Sequence, residues 1–235
     1  MKYKFDKKDQ IISNLDIYNS FDKLIEINKN EDDIRKFIYD KYSYGLYFVN
    51  ENGKIDIYKS GEEISIHTFI LGDGLLIGVD HGEFGGTLIY KNFGLFYNFN
   101  DVLILNDNIQ FIFSHNNKIM ILSGLAHLIT NRGNLYELDY NKDHLDFKLI
   151  NKIELGSEPA AFTIHNDKLY ITTYRSIIII NNGIIENKFD FEDWFSLYPN
   201  SIYINNDDII IGTNGCILIF NIKLQDYKLY GIKKQ

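Results

Sequence analysis

The sequence predicts an all-β, propeller-like chain of about five four-stranded blades with one short N-terminal helix, and three observations predict it. The first is a weak internal repeat, in which an apolar alternation, an Asn-Asn or Asn-Asp pair and a second apolar alternation recur in Phe111 to Ile121, Ala161 to Ile171 and Ser201 to Ile211. The second is its spacing. The turn residues Asn116, Asn166 and Asn206 are 50 and 40 residues apart, and propeller blades run to about 40–50 residues. The third is composition: 17 Tyr and 17 Phe stand against 2 Pro, and aromatic and β-branched residues suit a pleated surface. A single blade leaves both faces wet, whereas neighbours in a series cover one another.

The elements follow in order. Asn and Asp tolerate the left-handed backbone that tight hairpins require, so each Asn pair predicts a first hairpin. Second hairpins are expected to turn at Asn131-Arg132-Gly133-Asn134, near Tyr174-Arg175-Ser176 and at Thr213-Asn214-Gly215. Third strands are then Leu135 to Leu138, Ile177 to Ile180 and Ile217 to Phe220, and a polar fourth stretch such as Lys148 to Leu155 closes the unit. An earlier unit turns at Gly72-Asp73-Gly74, runs through Leu75 to Val79, turns again over Asp80 to Gly86 and returns through Thr87 to Tyr90. Before it, Gly45 to Val49 and Lys54 to Tyr58 flank the turn Glu51-Asn52-Gly53. Near the N-terminus, Glu31 to Lys41 reads as an amphipathic helix, with Ile34, Phe37 and Ile38 on one face and Asn30 as its cap. The segment Gln10 to Tyr18 is expected to add a strand to the last blade. With no linker or low-complexity stretch, residues 1–235 read as one domain.

Composition narrows the function classes. Hydrophobic residues form 45 % of the 235, enough for a substantial core, and the formal net charge is −8. That sign disfavours nucleic acid and anionic membranes as partners and suits a basic protein. Cys216 is the only cysteine, which excludes an internal disulfide and a thiolate metal cluster. The N-terminal run Met1 to Lys8 reaches no apolar stretch, and no apolar run is long enough to span a bilayer as a helix, so a cytoplasmic location is expected.

The sharpest local motif is Gly78-Val79-Asp80-His81-Gly82-Glu83-Phe84-Gly85-Gly86-Thr87-Leu88. It lies between strands, whereas phosphate-binding glycine loops lead into helices. One reading is structural: a wide hairpin in which Gly82, Gly85 and Gly86 supply special backbone geometry and Phe84 tucks inward. The other is a binding rim on which Asp80, His81 and Glu83 project. A metal site is not expected, since no second ligand cluster accompanies these three, and no cofactor is implied. In Gly124-Leu125-Ala126-His127-Leu128, His127 reads as a core histidine. Arg132 reads as a solvated turn residue, or else as one that pairs with Glu83 of the neighbouring unit and fixes the Gly-rich loop. His115 and His165 occupy equivalent repeat positions before the Asn turns and need no catalytic explanation. No Gly-x-Ser-x-Gly elbow is present, and Cys216 reads as a buried small hydrophobe. The stretch Asp190 to Phe195 mixes acid with aromatics. Glu192, Asp193 and Trp194 are candidates for a partner-binding patch, or else for a segment packed over a blade.

Residues 80–86 resemble a motif written Asp-Asn-Gly-Glu-Trp-Gly-Gly in a family of small bacterial propeller-like proteins, with His81 and Phe84 replacing Asn and Trp. The segment Gly124 to Leu128 is similar to a second element of that family, and the resemblance spans roughly residues 70–220. Some members look like immunity proteins of polymorphic or contact-dependent toxin systems. The resemblance therefore implies a non-enzymatic immunity protein, and the net charge of −8 suits a basic, nuclease-type toxin whose active site an acidic surface covers. Two other readings stay open: a propeller scaffold for another assembly, and a small-molecule or sugar-binding enzyme that uses Asp80, His81 and Glu83.

Overall fold

Short apolar alternations punctuated by Asn, Asp and Gly fold into antiparallel strands because the repeat turns hold residues that accept positive φ. Asn116 and Asn117 have φ of 50° and 60°, Asn166 and Asp167 of 49° and 59°, and Asn206 of 55°. The repeat turns are therefore where the sequence places them. The computed structural model describes residues 3–4, 10–19, 24–27, 46–58, 62–63, 66–93, 101–141, 145–191 and 197–232. The amphipathic segment 31–41 lies outside the described residues.

The strands, in chain order, begin with β1 (Tyr3–Lys4), β2 (Gln10–Leu15), β3 (Leu24–Ile27), β4 (Leu46–Val49), β5 (Ile55–Tyr58) and β6 (Glu62–Glu63). Next come β7 (Ile66–Leu71), β8 (Gly74–Asp80), β9 (Gly86–Asn92), β10 (Val102–Leu105), β11 (Ile109–His115), β12 (Lys118–His127), β13 (Thr130–Asn141) and β14 (Asp146–Glu154). The last are β15 (Pro159–His165), β16 (Lys168–Thr173), β17 (Ser176–Asn181), β18 (Ile184–Asp190), β19 (Ser201–Asn205), β20 (Asp208–Gly212), β21 (Ile217–Asn221) and β22 (Asp226–Ile232). Among the described residues the protein is all-β, with no α-helix and therefore none long and apolar enough to cross a membrane. Strands β7–β10, β11–β14 and β15–β18 each form a four-stranded sheet in consecutive order. Strands β19–β22 do the same and gain β3 as a fifth, while β2, β5 and β4 make a three-stranded sheet and β1 pairs with β6.

The chain forms two compact units. One is built on Ile64–Pro159, the other on Tyr3–Glu63, Ala160–Asn181 and Ile185–Gln235. In the first, Leu76, Leu88, Tyr90, Ile109, Ile121 and Leu138 form a buried core between the β7–β10 and β11–β14 sheets. In the second, Ile177, Ile179, Ile209, Ile211, Leu218 and Phe220 belong to one apolar cluster, and Ile17, Tyr47, Ile55, Ile57 and Ile217 to another. Cys216 is buried in the former, and burial pushes its thiol up to about 12. It behaves as the small hydrophobe expected of it.

The N-terminal strands differ from expectation. Gln10–Leu15 pairs with β5, not with the last sheet. The strand added to the last sheet is instead β3, antiparallel to β22, and Lys228 Nζ donates to Glu26 Oε2 at 3.1 Å. The free side of β22 and that of β5 thus each receive a short N-terminal strand, which covers those two edges against intermolecular pairing. The turn after β2 is held by Asp16. Its carboxylate accepts from Lys54, from Asn19 Nδ2 at 3.0 Å and from the Tyr18 N–H at 3.1 Å. The Lys54 hydrogen bond, aided by Asn19, lowers the Asp16 pKa from 3.8 to about 2. A depressed carboxylate stabilises the fold fully above its unfolded value, and that contribution is lost as pH falls through about 2. Titration of the Asp16 carboxyl carbon by NMR is expected to show a midpoint near 2, and one near 3.8 would contradict the Lys54 contact.

Candidate functional site

Within the first unit, one end of the sheets gathers most of the residues singled out above. Strand β8 ends at Asp80, and a short 3-10 turn over Gly82–Phe84 leads into β9. Asp80 is not a free rim carboxylate. Its Oδ1 accepts the Gly82 N–H at 2.8 Å, and its Oδ2 accepts from Gln110 Nε2 at 2.8 Å. Gly82 and Gly85 have φ of +60° and +88° and supply the positive angles expected of them. Gly86 serves a different need, because a Cβ there would lie 2.6 Å from Asn108 Oδ1. Asn108 Nδ2 in turn donates to the Gly82 carbonyl at 2.7 Å. The loop is therefore clamped from below by two fully buried amides, Asn108 and Gln110.

What the clamp presents is the reverse of one expectation. Phe84 is 86 % exposed rather than tucked inward. The reason is the turn geometry: the Asp80 and Asn108 bonds anchor the loop at its backbone, and its apex side chains project. His81 and Glu83 are exposed beside it.

The neighbouring hairpin, β12–β13, corrects three readings. Its turn is not at Asn131–Asn134. Leu128 and Ile129 form the tip between His127 and Thr130, which pair across it, and Asn131 to Asn134 lie inside β13. Gly133 faces Gly124 across the ladder, where the Ser157-Glu158-Pro159 backbone passes so close that neither has room for a side chain. Second, His127 is not a core residue. As the last residue of β12 its side chain is 42 % exposed, and its Nδ1 lies 3.3 Å from Glu83 Oε2. Third, Arg132 does not pair with Glu83. Its Nη1 donates to Asp107 Oδ1 at 2.6 Å.

Asp107 is the hub beneath this hairpin. It is buried, and it also accepts from Ser123 Oγ at 2.7 Å and from the Asn108 N–H at 2.9 Å. On the other side, Glu158 accepts the Ala126 N–H, and Asn131 Oδ1 accepts from Ser157 Oγ and the Glu158 N–H, both at 2.9 Å. Sequence reasoning missed Asp107, Asn108, Gln110 and Glu158. A signal was present: a polar pair stands at the entry to the first strand of successive sheets, as Asp107-Asn108 and Ser157-Glu158 just before β11 and β15, and Asn200-Ser201 at the start of β19. In the second unit Ser201 plays the same part, its Oγ accepting the Val49 N–H at 2.8 Å.

The site thus consists of Asp80, Gly82, Gly85, Gly86 and Arg132 as supporting structure, with His81, Glu83, Phe84 and His127 at the surface. Glu192, Asp193 and Trp194 lie outside the described residues. Among the described residues, no three His, Cys, Asp or Glu side chains gather as metal ligands. No protein-family model and no curated protein matches the chain.

Proposed function

We propose that the protein works by binding another protein, a toxin as the resemblance at residues 80–86 and 124–128 suggests, and that the toxin is basic and nuclease-type, its active site covered by an acidic surface, as the net charge of −8 suggests. We also read the meandering sheets as blades of a propeller-like fold, which the consecutive strand order within each sheet supports. The observation that carries the binding reading is the Asp80–Gly86 loop. It lifts a solvent-facing Phe84 and the Glu83 carboxylate on a buried hydrogen-bonded base. An aromatic presented rigidly, beside a charge, loses little conformational entropy on association. The enzyme reading is weaker, because both Asp80 oxygens are taken by Gly82 and Gln110.

The net charge of −8 would speed encounter with a basic partner and exclude nucleic acid from the same surface. Association with the purified product of the adjacent reading frame, followed by stopped flow, is expected to slow by about tenfold or more between low and high salt. Glu83→Gln is expected to lower the association rate with little change in dissociation. An association rate indifferent to salt removes electrostatic steering, and failure of the wild-type chains to co-purify removes this partner.

A further inference from the structure

The tip of the β12–β13 hairpin is built against local preference. Its first turn residue, Leu128, has φ of 51°. For an L-residue with a bulky side chain that region is unfavourable, and two-residue hairpins normally place Gly, Asn or Asp there. The chain follows this rule elsewhere, at Asn116-Asn117, Asn166-Asp167 and Asn182-Gly183, all with positive φ. At this tip it places Leu-Ile instead, and both side chains are in water, Leu128 at 83 % and Ile129 at 102 % exposure. The hairpin is also long. Strands β12 and β13 have 10 and 12 residues, against 6 and 6 in β16 and β17. Leu145 and Tyr198 also take positive φ, of 49° and 48°, but among the described residues no other hairpin tip consists of two apolar residues this exposed. A tip that breaks turn chemistry and solvation together, over a hydrogen-bonded base, marks a functional position.

Glu83 lies within 3.3 Å of His127, so the Phe84 loop and the Leu128–Ile129 tip stand side by side. We infer that Phe84, Leu128 and Ile129 form one convex apolar plug that inserts into an apolar cleft of the partner protein, with the Glu83 carboxylate meeting a cationic group at the rim of that cleft. This inference rests on the protein-binding reading above and adds to it the contact surface and the shape of the partner. The plug is convex, so the partner is concave there. Glu83 is half exposed and the chain strongly acidic, so the rim it meets is basic. The bonds of Glu158 to Ala126, Arg132 to Asp107 and Asn108 to Gly82 hold both tips before contact. Anchors of this kind, dry at the centre and pre-positioned, supply most of the affinity of an interface.

The test uses the full chain and the purified product of the adjacent reading frame. Leu128→Gly with Ile129→Ser gives the tip a favoured turn pair. It is expected to leave the thermal midpoint unchanged or raised by up to about 4 °C, and to weaken partner binding by about 30-fold or more. Phe84→Ser is expected to act in the same direction. Leu224→Ser, at another exposed apolar residue in a turn of the second unit, is expected to leave binding unchanged. Wild-type binding that survives in both tip variants overturns the plug while leaving the toxin reading intact. A midpoint that falls by more than about 4 °C in the double variant overturns it without any partner, because the two residues would then be structural. Partition of the wild-type chain, and not the double variant, onto neutral phosphatidylcholine vesicles reassigns the plug to a lipid surface and overturns the protein partner. Absence of wild-type binding in the presence of an unchanged midpoint removes the toxin as the partner and, with it, the basic cleft proposed to receive the plug.

Discussion

Gly133→Ala is expected to lower the thermal midpoint by about 6–12 °C, the consequence of about 3 kcal/mol of overpacking in a chain of this size. A Cβ at Gly133 would overlap the Ser157 carbonyl oxygen and come within 2.9 Å of its carbon and 3.0 Å of Pro159 Cδ. Backbone atoms cannot rotate away as a side-chain end can, so either the Ser157-Glu158-Pro159 segment or the β12–β13 ladder must shift. Either movement strains the Glu158 bond to the Ala126 N–H and the Asn131 bonds to Ser157 and Glu158. The comparison that isolates this effect is Gly82→Ala. Gly82 has φ of +60° but nothing within 4 Å of an added Cβ. Its cost is therefore conformational only, about 1 kcal/mol. Equal losses in the two variants, measured by thermal denaturation, would mean that close approach at Gly133 is not what the glycine provides.

The same pair explains what the sequence could and could not disclose. A glycine needed for positive φ and a glycine needed for close approach look alike in a sequence. The run Asn131-Arg132-Gly133-Asn134 has every residue type of a turn, and it reads as one. It is strand because Gly133 makes room for a segment 24 residues further on, a non-local demand with no local mark. Conversely, Leu128-Ile129 carries no turn chemistry, so the apolar run Leu125 to Ile129 reads as a strand entering a core and His127 as a core residue. Both expectations fail together, since the run ends at an exposed tip. The Asn116, Asn166 and Asn206 turns were legible because their requirement is local: a left-handed backbone at a residue whose short polar side chain tolerates it. The Asp80–Gly86 loop was half legible. Its hairpin and its positive-φ glycines follow from spacing, but the inward or outward direction of Phe84 depends on Asn108 and Gln110, which the chain reaches only a sheet later.

Asp107→Ala is expected to cost about 2–4 kcal/mol, because it leaves buried donors without an acceptor. Three donors converge on this one carboxylate: Arg132 Nη1 at 2.6 Å, Ser123 Oγ at 2.7 Å and the Asn108 N–H at 2.9 Å. Their fates differ once it is gone. The Arg132 side chain is 46 % exposed and regains water, so its share is small and screened. Ser123 and Asn108 are fully buried and regain nothing, so they carry most of the loss. The order of effects follows from that asymmetry. Arg132→Ala should cost about 1 kcal/mol or less, since the carboxylate keeps two partners and the lost one was half solvated. Ser123→Ala should cost about 1 kcal/mol, the net value of one hydrogen bond. Thermal denaturation of the three variants and of the Asp107→Ala/Ser123→Ala double tests the hub directly. If Asp107 organises the base of the hairpin, the double variant is less destabilised than the sum of the singles, because removing Ser123 Oγ also removes a donor that Asp107→Ala had orphaned. Strict additivity, or an Arg132→Ala loss as large as that of Asp107→Ala, would place the stabilisation in the surface ion pair instead. The buried hydrogen bonds would then not be what holds the β12–β13 hairpin and its tip in place.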